Sequence, residues 1–202
     1  MRIISGKARG RRLTSPPGRT QDIRPTSDRA REALFSILGS VVTDSRVLDL
    51  YAGTGALGLE AFSRGAAEVI FVDMCRQALA LIQRNIATCT VAGDSSRLVV
   101  WRYDLRKGLP PALTAQDATN AFDLIFLDPP YSQGLSLKTL QYLSDGRIVG
   151  DNGLIVAEER SSESLPERCG VLDLHDHRVY GDSGFWFYRC SQPSSAFCKE
   201  RQ

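Results

Sequence analysis

A chain of 202 residues, 43% hydrophobic and 24% charged, can fill one substantial core and is too apolar to be a disordered segment. No apolar run approaches the roughly eighteen residues of a spanning helix, and the basic stretch Met1–Gly10 lacks the apolar segment of a signal peptide. The net charge of +2 is unevenly spread: residues 1–31 carry +7 and the rest −5, which points to a polyanionic partner for the N-terminal end.

The first 25 residues read as a basic arm, extended or looped around Pro16, Pro17 and Gly18. A helix capped by Thr26 or Ser27 should follow, with Ala30, Ala33, Leu34, Ile37 and Leu38 on one face and Gly39 as its stop. Strands and helices then alternate. Val47–Tyr51 reads as a buried strand, Leu57–Arg64 as a helix and Val69–Val72 as a strand. The next helix places Ala78, Leu79, Ile82 and Ile86 on one stripe. Leu98–Trp101, Phe122–Leu127 and Leu154–Ala157 read as further strands, the last two joined by a helix over Leu135–Leu143, and Pro110–Asn120 as a loop. Val171–Tyr180 and Phe185–Arg189 flank Gly181-Asp182-Ser183-Gly184 and predict an antiparallel hairpin. Residues 191–202 read as a tail. Apolar strands alternating with helices imply an α/β fold: a mostly parallel sheet covered on both faces, closed by a C-terminal antiparallel pair.

Five cysteines, with no Cys-x-x-Cys pair, suit reduced thiols and a cytoplasmic location. His175 and His177 flank Asp176 without further ligand residues nearby, so surface or structural roles are expected and no metal site is assigned.

Two motifs carry chemistry. In Asp49-Leu-Tyr-Ala-Gly-Thr-Gly-Ala-Leu-Gly58, the glycines 53, 55 and 58 fit G-x-G-x-x-G at a strand-to-helix turn. Asp73, at the end of the next strand, can accept hydrogen bonds from ribose hydroxyls. These features suit a dinucleotide or S-adenosylmethionine. Asp49 favours the latter: a carboxylate there can hold a methionine amino group and would repel a pyrophosphate, although it could also cap the turn through backbone N–H groups. Asp104, after the third strand, could accept from an adenine amino group or simply form a turn.

The second motif is Asp128-Pro-Pro-Tyr131, directly after the fourth strand. The Asp128 carboxylate and the Pro129 carbonyl can accept the two hydrogens of a planar exocyclic amine. That pulls the nitrogen toward tetrahedral geometry and aims its lone pair at a methyl donor. Tyr131 offers a flat surface for a base that has left its helix. Two other readings remain open. A nucleotide-dependent oxidoreductase would use the same glycines, and a non-catalytic RNA-binding assembly factor could keep the scaffold.

The Asp-Leu-Tyr-Ala-Gly-Thr-Gly and Asp-Pro-Pro-Tyr motifs resemble those of class I amino-methyltransferases. The segments Arg2–Leu13, Arg24-Pro-Thr-Ser-Asp-Arg-Ala-Arg-Glu-Ala-Leu-Phe35 and Tyr180-Gly-Asp-Ser-Gly184 are similar to the RsmD family over about residues 1–190. The resemblance implies a Rossmann-like seven-stranded sheet, S-adenosyl-L-methionine as cofactor, and methylation of guanine N2 in 16S ribosomal RNA, naked or within an assembling small subunit, by a monomeric enzyme. A DNA adenine-N6 methyltransferase is the nearest rival, because Asp-Pro-Pro-Tyr serves adenine too. The methyltransferase domain is expected over 26–190. Asp49, Ala52, Gly53, Gly55, Asp73, Asp104 and Thr26 are the expected cofactor-binding set. Asp128, Pro129 and Tyr131 are the expected catalytic set, and Arg24, with Arg9, Arg11 and Arg12 of the arm, the expected RNA contacts.

Overall fold

In the computed structural model, which describes residues 1–15, 28–91, 94–115, 120–145 and 147–191, the strands form one sheet between two layers of helices. The first helix, α1 (Asp28–Leu38), leads through a 3-10 turn (Gly39–Val42) into β1 (Arg46–Leu50). Then come α2 (Ala56–Ser63), β2 (Glu68–Asp73), α3 (Arg76–Cys89), β3 (Leu98–Arg102), one helical turn α4 (Pro111–Thr114), β4 (Phe122–Leu127) and α5 (Leu135–Leu143). The chain ends in β5 (Val149–Arg160), β6 (Arg168–Cys169), β7 (Leu172–Tyr180) and β8 (Ser183–Cys190). The spatial order is β3-β2-β1-β4-β5-β8-β7-β6, with β1 to β5 parallel and the last three antiparallel.

The parallel strands are buried on both faces, as their unbroken apolar runs require. Val47, Val69, Leu124 and Val156 face α1, α2 and α3; Leu48, Leu50, Ile70, Ile125 and Ile155 face α4 and α5. The order of strands reverses between β1 and β4, both of which connect outward from the sheet's middle. The carboxyl ends of these two strands therefore open a cleft.

Four details depart from expectation. The sheet has eight strands rather than seven, because Gly170, at φ +61°, turns Arg168–Cys169 back onto the start of β7. The buried faces of two helices are rotated from their apolar stripes. On α1, Phe35 is buried and Ile37 is exposed; on α3, Leu81 is buried where Leu79 is only half-buried. Strand β5 runs past its apolar stretch into Glu158, Glu159 and Arg160, whose charges hid its end. Finally, the expected loop after Pro110 opens with α4.

Residues 1–13 fold back as a hairpin-like loop against α2. Arg2 and Arg12 form an antiparallel bridge, and Ile3, Ala8 and Leu13 are buried. The backbone of Gly6 lies so close to the end of α2 that a β-carbon there would sit 1.8 Å from the Ser63 carbonyl oxygen. Only glycine permits that approach. The Glu60 carboxylate, fully buried on α2, accepts the N–H groups of Ile4 (2.7 Å) and Ser5 (3.0 Å) and pairs with Arg64 at 2.7 Å. Its other cation is Arg31, 3.9 Å away and itself fully buried; Arg31 also donates to the Arg2 carbonyl (2.5 Å) and pairs with Asp28.

Candidate active site

The sheet order places an acidic residue at or near the carboxyl end of each of five neighbouring strands. From edge to centre these are Asp104 after β3, Asp73 closing β2, Asp49 in β1, Asp128 after β4, and Glu158 with Glu159 in β5. Register brings them level: Leu50 pairs with both Val72 and Leu127, and Leu127 with Ala157.

Between β1 and α2 the chain turns tightly. Tyr51 adopts φ +60°, a conformation costly for an aromatic residue, and its hydroxyl is tied to Thr139 of α5 at 2.9 Å. Gly53 and Gly55 follow at φ +56° and +75°, and the N–H of Ala52 reaches the Val72 carbonyl of β2. Asp49, nearly inaccessible at 1% exposure, accepts the Gly58 N–H at 2.9 Å. A β-carbon on Gly58 would sit 2.4 Å from the Phe71 ring and 3.0 Å from the Asp49 carboxylate, so that glycine brings α2 down onto the acid. Burial raises the Asp49 pKa to about 8, with the Gly58 hydrogen bond opposing and the Asp73 charge adding. Asp49 thus does cap the turn, and it is also a buried acid with no ion-pair partner among the described residues.

Asp73 braces the same loop. Its two oxygens accept the N–H groups of Gly53 (2.9 Å) and Cys75 (2.8 Å), and each keeps a lone pair. Asp104 caps a 3-10 turn, Leu105–Lys107, and is gripped by the Arg106 guanidinium through both oxygens (2.8 and 2.9 Å), which holds its pKa down at about 2. The turn-forming role is therefore present at Asp104 as well.

The second motif sits directly beside the first. The Asp128 N–H points to the Leu50 carbonyl at 3.4 Å, so the loop after β4 starts against the end of β1. Pro129 is buried; Asp128, Pro130 and Tyr131 are half-buried. The Asp128 pKa is raised well above the carboxylate range, first by burial and then by the charges of Glu158, Asp49 and Glu159. Tyr131 donates its hydroxyl to Glu158 at 2.8 Å and lies 3.3 Å from the Ser183 hydroxyl, while the Arg160 guanidinium is 6.0 Å from its ring. Burial and the Glu158 charge push the Tyr131 phenol strongly upward, so it stays a donor. Glu159 faces the other side of β5, where it accepts from the Ser136 hydroxyl (3.0 Å) and the Ser132 N–H (3.3 Å). Ser132, at φ +60°, ends the turn.

The structure thus brings Asp49, Ala52, Gly53, Gly55, Asp73, Asp104, Asp128, Pro129 and Tyr131 to one edge of the sheet. Arg24 and Thr26 lie outside the described residues. Arg9, Arg11 and Arg12 are exposed on the N-terminal hairpin; Arg11 is anchored to the Thr88 carbonyl of α3 at 2.7 Å. Sequence reasoning missed Glu158 and Glu159. The available signal was a pair of acids ending an otherwise apolar strand, where buried charges need a purpose. His177, on β7, stacks on Trp186 of β8 with ring centroids 4.3 Å apart.

Comparison with known proteins agrees with this geometry. The model of the family described as conserved hypothetical protein 95 matches residues 1–189. The chain is 35% identical over 194 residues to the ribosomal RNA small subunit methyltransferase D of Escherichia coli K12, covering 94% of this chain and 89% of that one. A solved Escherichia coli structure described as a methyltransferase superposes with a TM-score of 0.76 at 35% identity, over 94% of this chain and 97% of that one. A more distant fold neighbour, 18% identical with a TM-score of 0.60 over 81% of this chain and 50% of that one, was solved in complex with S-adenosylhomocysteine. With residues 1–189 matched and more than a third of positions shared across nearly the whole length of such a relative, the chain belongs to the conserved hypothetical protein 95 family, the RsmD family of class I methyltransferases.

Proposed function

We propose that this protein is an S-adenosyl-L-methionine-dependent methyltransferase that modifies the exocyclic N2 of a guanine in 16S ribosomal RNA. The observation that carries the reading is the adjacency of two half-sites. The glycine turn with its buried acid Asp49 and the Asp128-Pro129-Pro130-Tyr131 loop share one backbone contact, between Asp128 and Leu50.

The residues present fit the cofactor. Asp49, whose proton is held on by burial, would gain a counter-charge from the amino group of the methionine moiety. Asp73 keeps lone pairs for ribose hydroxyls, Asp104 for an adenine amino group, and Gly53 and Gly55 let the backbone approach closely. The bound cofactor supplies a methyl group on a positively charged sulfur. Asp128, whose proton is held on by burial and by the charges of Glu158, Asp49 and Glu159, would ionise more readily beside that positive charge.

The chain's own residues do the rest by alignment. The Asp128 carboxylate and the Pro129 carbonyl accept the two N–H hydrogens of the amine, so the nitrogen lone pair turns out of the ring plane. The amine must give up one proton for the methyl group it would gain, and Asp128 is positioned to receive it. Tyr131 presents its ring to the extruded base, fixed in angle by Glu158. The exposed arginines Arg9 and Arg12 would neutralise phosphates, and Arg24 is proposed as a further RNA contact and Thr26 as a cofactor contact. The relative named for small-subunit ribosomal RNA supports the choice of substrate.

The test is incorporation of labelled methyl groups from S-adenosylmethionine into 16S ribosomal RNA, offered naked and in partly assembled small subunits, against duplex DNA. Transfer to the RNA supports the reading. Transfer to DNA alone, or a thermal shift with NAD and none with S-adenosylhomocysteine, overturns it.

A further inference from the structure

The N-terminal hairpin and the glycine turn are far apart in sequence, yet one side chain holds both. Asn85, on α3, is fully buried. Its Oδ1 accepts the N–H of Thr14 at 2.7 Å; its Nδ2 donates to the carbonyl of Thr14 at 3.1 Å and to the carbonyl of Thr54 at 2.9 Å. Those partners use the amide's one acceptor and both donors, which also fixes its orientation. Thr14 follows the hairpin that carries Arg9, Arg11 and Arg12. Thr54 lies between Gly53 and Gly55, inside the turn assigned to the cofactor. One turn further along α3, the Thr88 carbonyl receives Arg11 at 2.7 Å. On the other side, Glu60 and Ser63 of α2, the helix that begins at the glycine turn, hold the N–H groups of Ile4, Ser5 and Ala8.

A buried amide can satisfy two backbone segments at once only while their separation stays fixed, and a displaced segment leaves a buried polar group unpaired. Asn85 in a helix interior is also a poor helix former, so nothing local favours it there.

We infer that Asn85 is a positioning residue that couples the two binding events: cofactor held on the glycine turn tightens the grip of the hairpin on RNA, and RNA tightens the grip on cofactor by the same factor. This rests on the cofactor and RNA reading above.

The experiment measures the dissociation constant of the full chain for 16S ribosomal RNA with and without saturating S-adenosylhomocysteine. The wild type should bind RNA at least about fivefold more tightly with the ligand, within the range usual for coupled sites. Asn85→Leu should bring that factor below about twofold and weaken S-adenosylhomocysteine binding by itself. Thr14→Pro, on an exposed residue, removes the N–H that Asn85 accepts and keeps the Thr14 carbonyl, while also fixing φ there and restricting Leu13 before it. It should lose the coupling while leaving S-adenosylhomocysteine affinity in the absence of RNA within about twofold of wild type, a pattern that loss of stability alone would not give. It therefore decides the matter even if Asn85→Leu does not fold. A wild-type factor of one, with both ligands bound, or a folded Thr14→Pro that keeps the full factor, overturns the inference and leaves the proposed function standing. Absence of S-adenosylhomocysteine binding by the wild type overturns both.

Discussion

The hydroxyl of Tyr131 donates to the buried carboxylate of Glu158 across 2.8 Å, so the aromatic ring beside Asp128 is fixed by an acid that the base itself never needs to touch. Glu158 also stands second only to burial in raising the Asp128 pKa. Glu158→Gln should therefore do two separable things. Weakening a charge-assisted hydrogen bond should lower turnover about tenfold. Removing the charge should shift the acid limb of the kcat/KM profile to lower pH, because Asp128 then ionises more readily. Steady-state kinetics across pH checks both. A variant with normal stability, unchanged turnover and an unshifted limb would leave Glu158 a packing residue.

Asp49 makes a pH signature. Its folded-state pKa, about 8, lies above the unfolded carboxylate value near 4. The stability it contributes is thus fully present below pH 4 and is lost as pH rises from about 4 toward 8. Asp49→Asn should flatten that decline in urea melts. A cation bound at Asp49 lowers its pKa again, so S-adenosylmethionine binding near pH 6.5 should release protons and tighten as pH rises. Calorimetry in two buffers of different ionisation enthalpy measures the release; none in the wild type would place the cation elsewhere.

The arm should act through charge. Arg9→Ala with Arg12→Ala should weaken RNA binding and flatten the slope of log affinity against log salt by about 0.7 for each phosphate left without its arginine. Filter binding from low to moderate salt reads this. Arg11 is spent in part on the Thr88 carbonyl, so Arg11→Ala should also loosen the hairpin against α3. An unchanged slope in the double variant would mean that the hairpin does not meet phosphate.

The clasp around Glu60 should dominate stability. Glu60→Ala leaves the buried Arg31 with Asp28 as its acid, takes the carboxylate from Arg64 and leaves the N–H groups of Ile4 and Ser5 without their acceptor, which should cost about 3–5 kcal/mol. Arg31→Met should cost less. Two nitrogens of that guanidinium, Nε and Nη1, already have no hydrogen-bond partner among the described residues, and a methionine relieves them. Urea unfolding of the two variants ranks them; the reverse order would contradict this account of the pair.

Much of this was legible in the residue order. The strand Phe122–Leu127 and the helix read around Leu135–Leu143 match the observed bounds, the strand through its nearly continuous apolar run and the helix through a single apolar stripe at helical spacing. The two motifs fall at strand ends, where the topology makes a cleft. The misses share a physical cause: tertiary contacts override local pattern. Phe35 displaces Ile37 from the core because it packs on Phe126, with ring centroids 5.7 Å apart. Glu158 and Glu159 look like a solvated end until Tyr131 and Ser136 supply their partners. The hairpin reads as a loose arm because what secures it, Glu60, Ser63 and Asn85, lies about 55 to 71 positions away.

The most direct measurement is nucleoside mass spectrometry of 16S ribosomal RNA after reaction with S-adenosylmethionine, comparing the wild type with Asp128→Ala. The wild type should yield one N2-methylguanosine. Asp128→Ala should yield none while still binding S-adenosylhomocysteine, because the residues assigned to the cofactor, Asp49, Gly53, Gly55, Asp73 and Asp104, are all left in place. A different methylated nucleoside from the wild type, or near-normal yield from Asp128→Ala, would contradict the account.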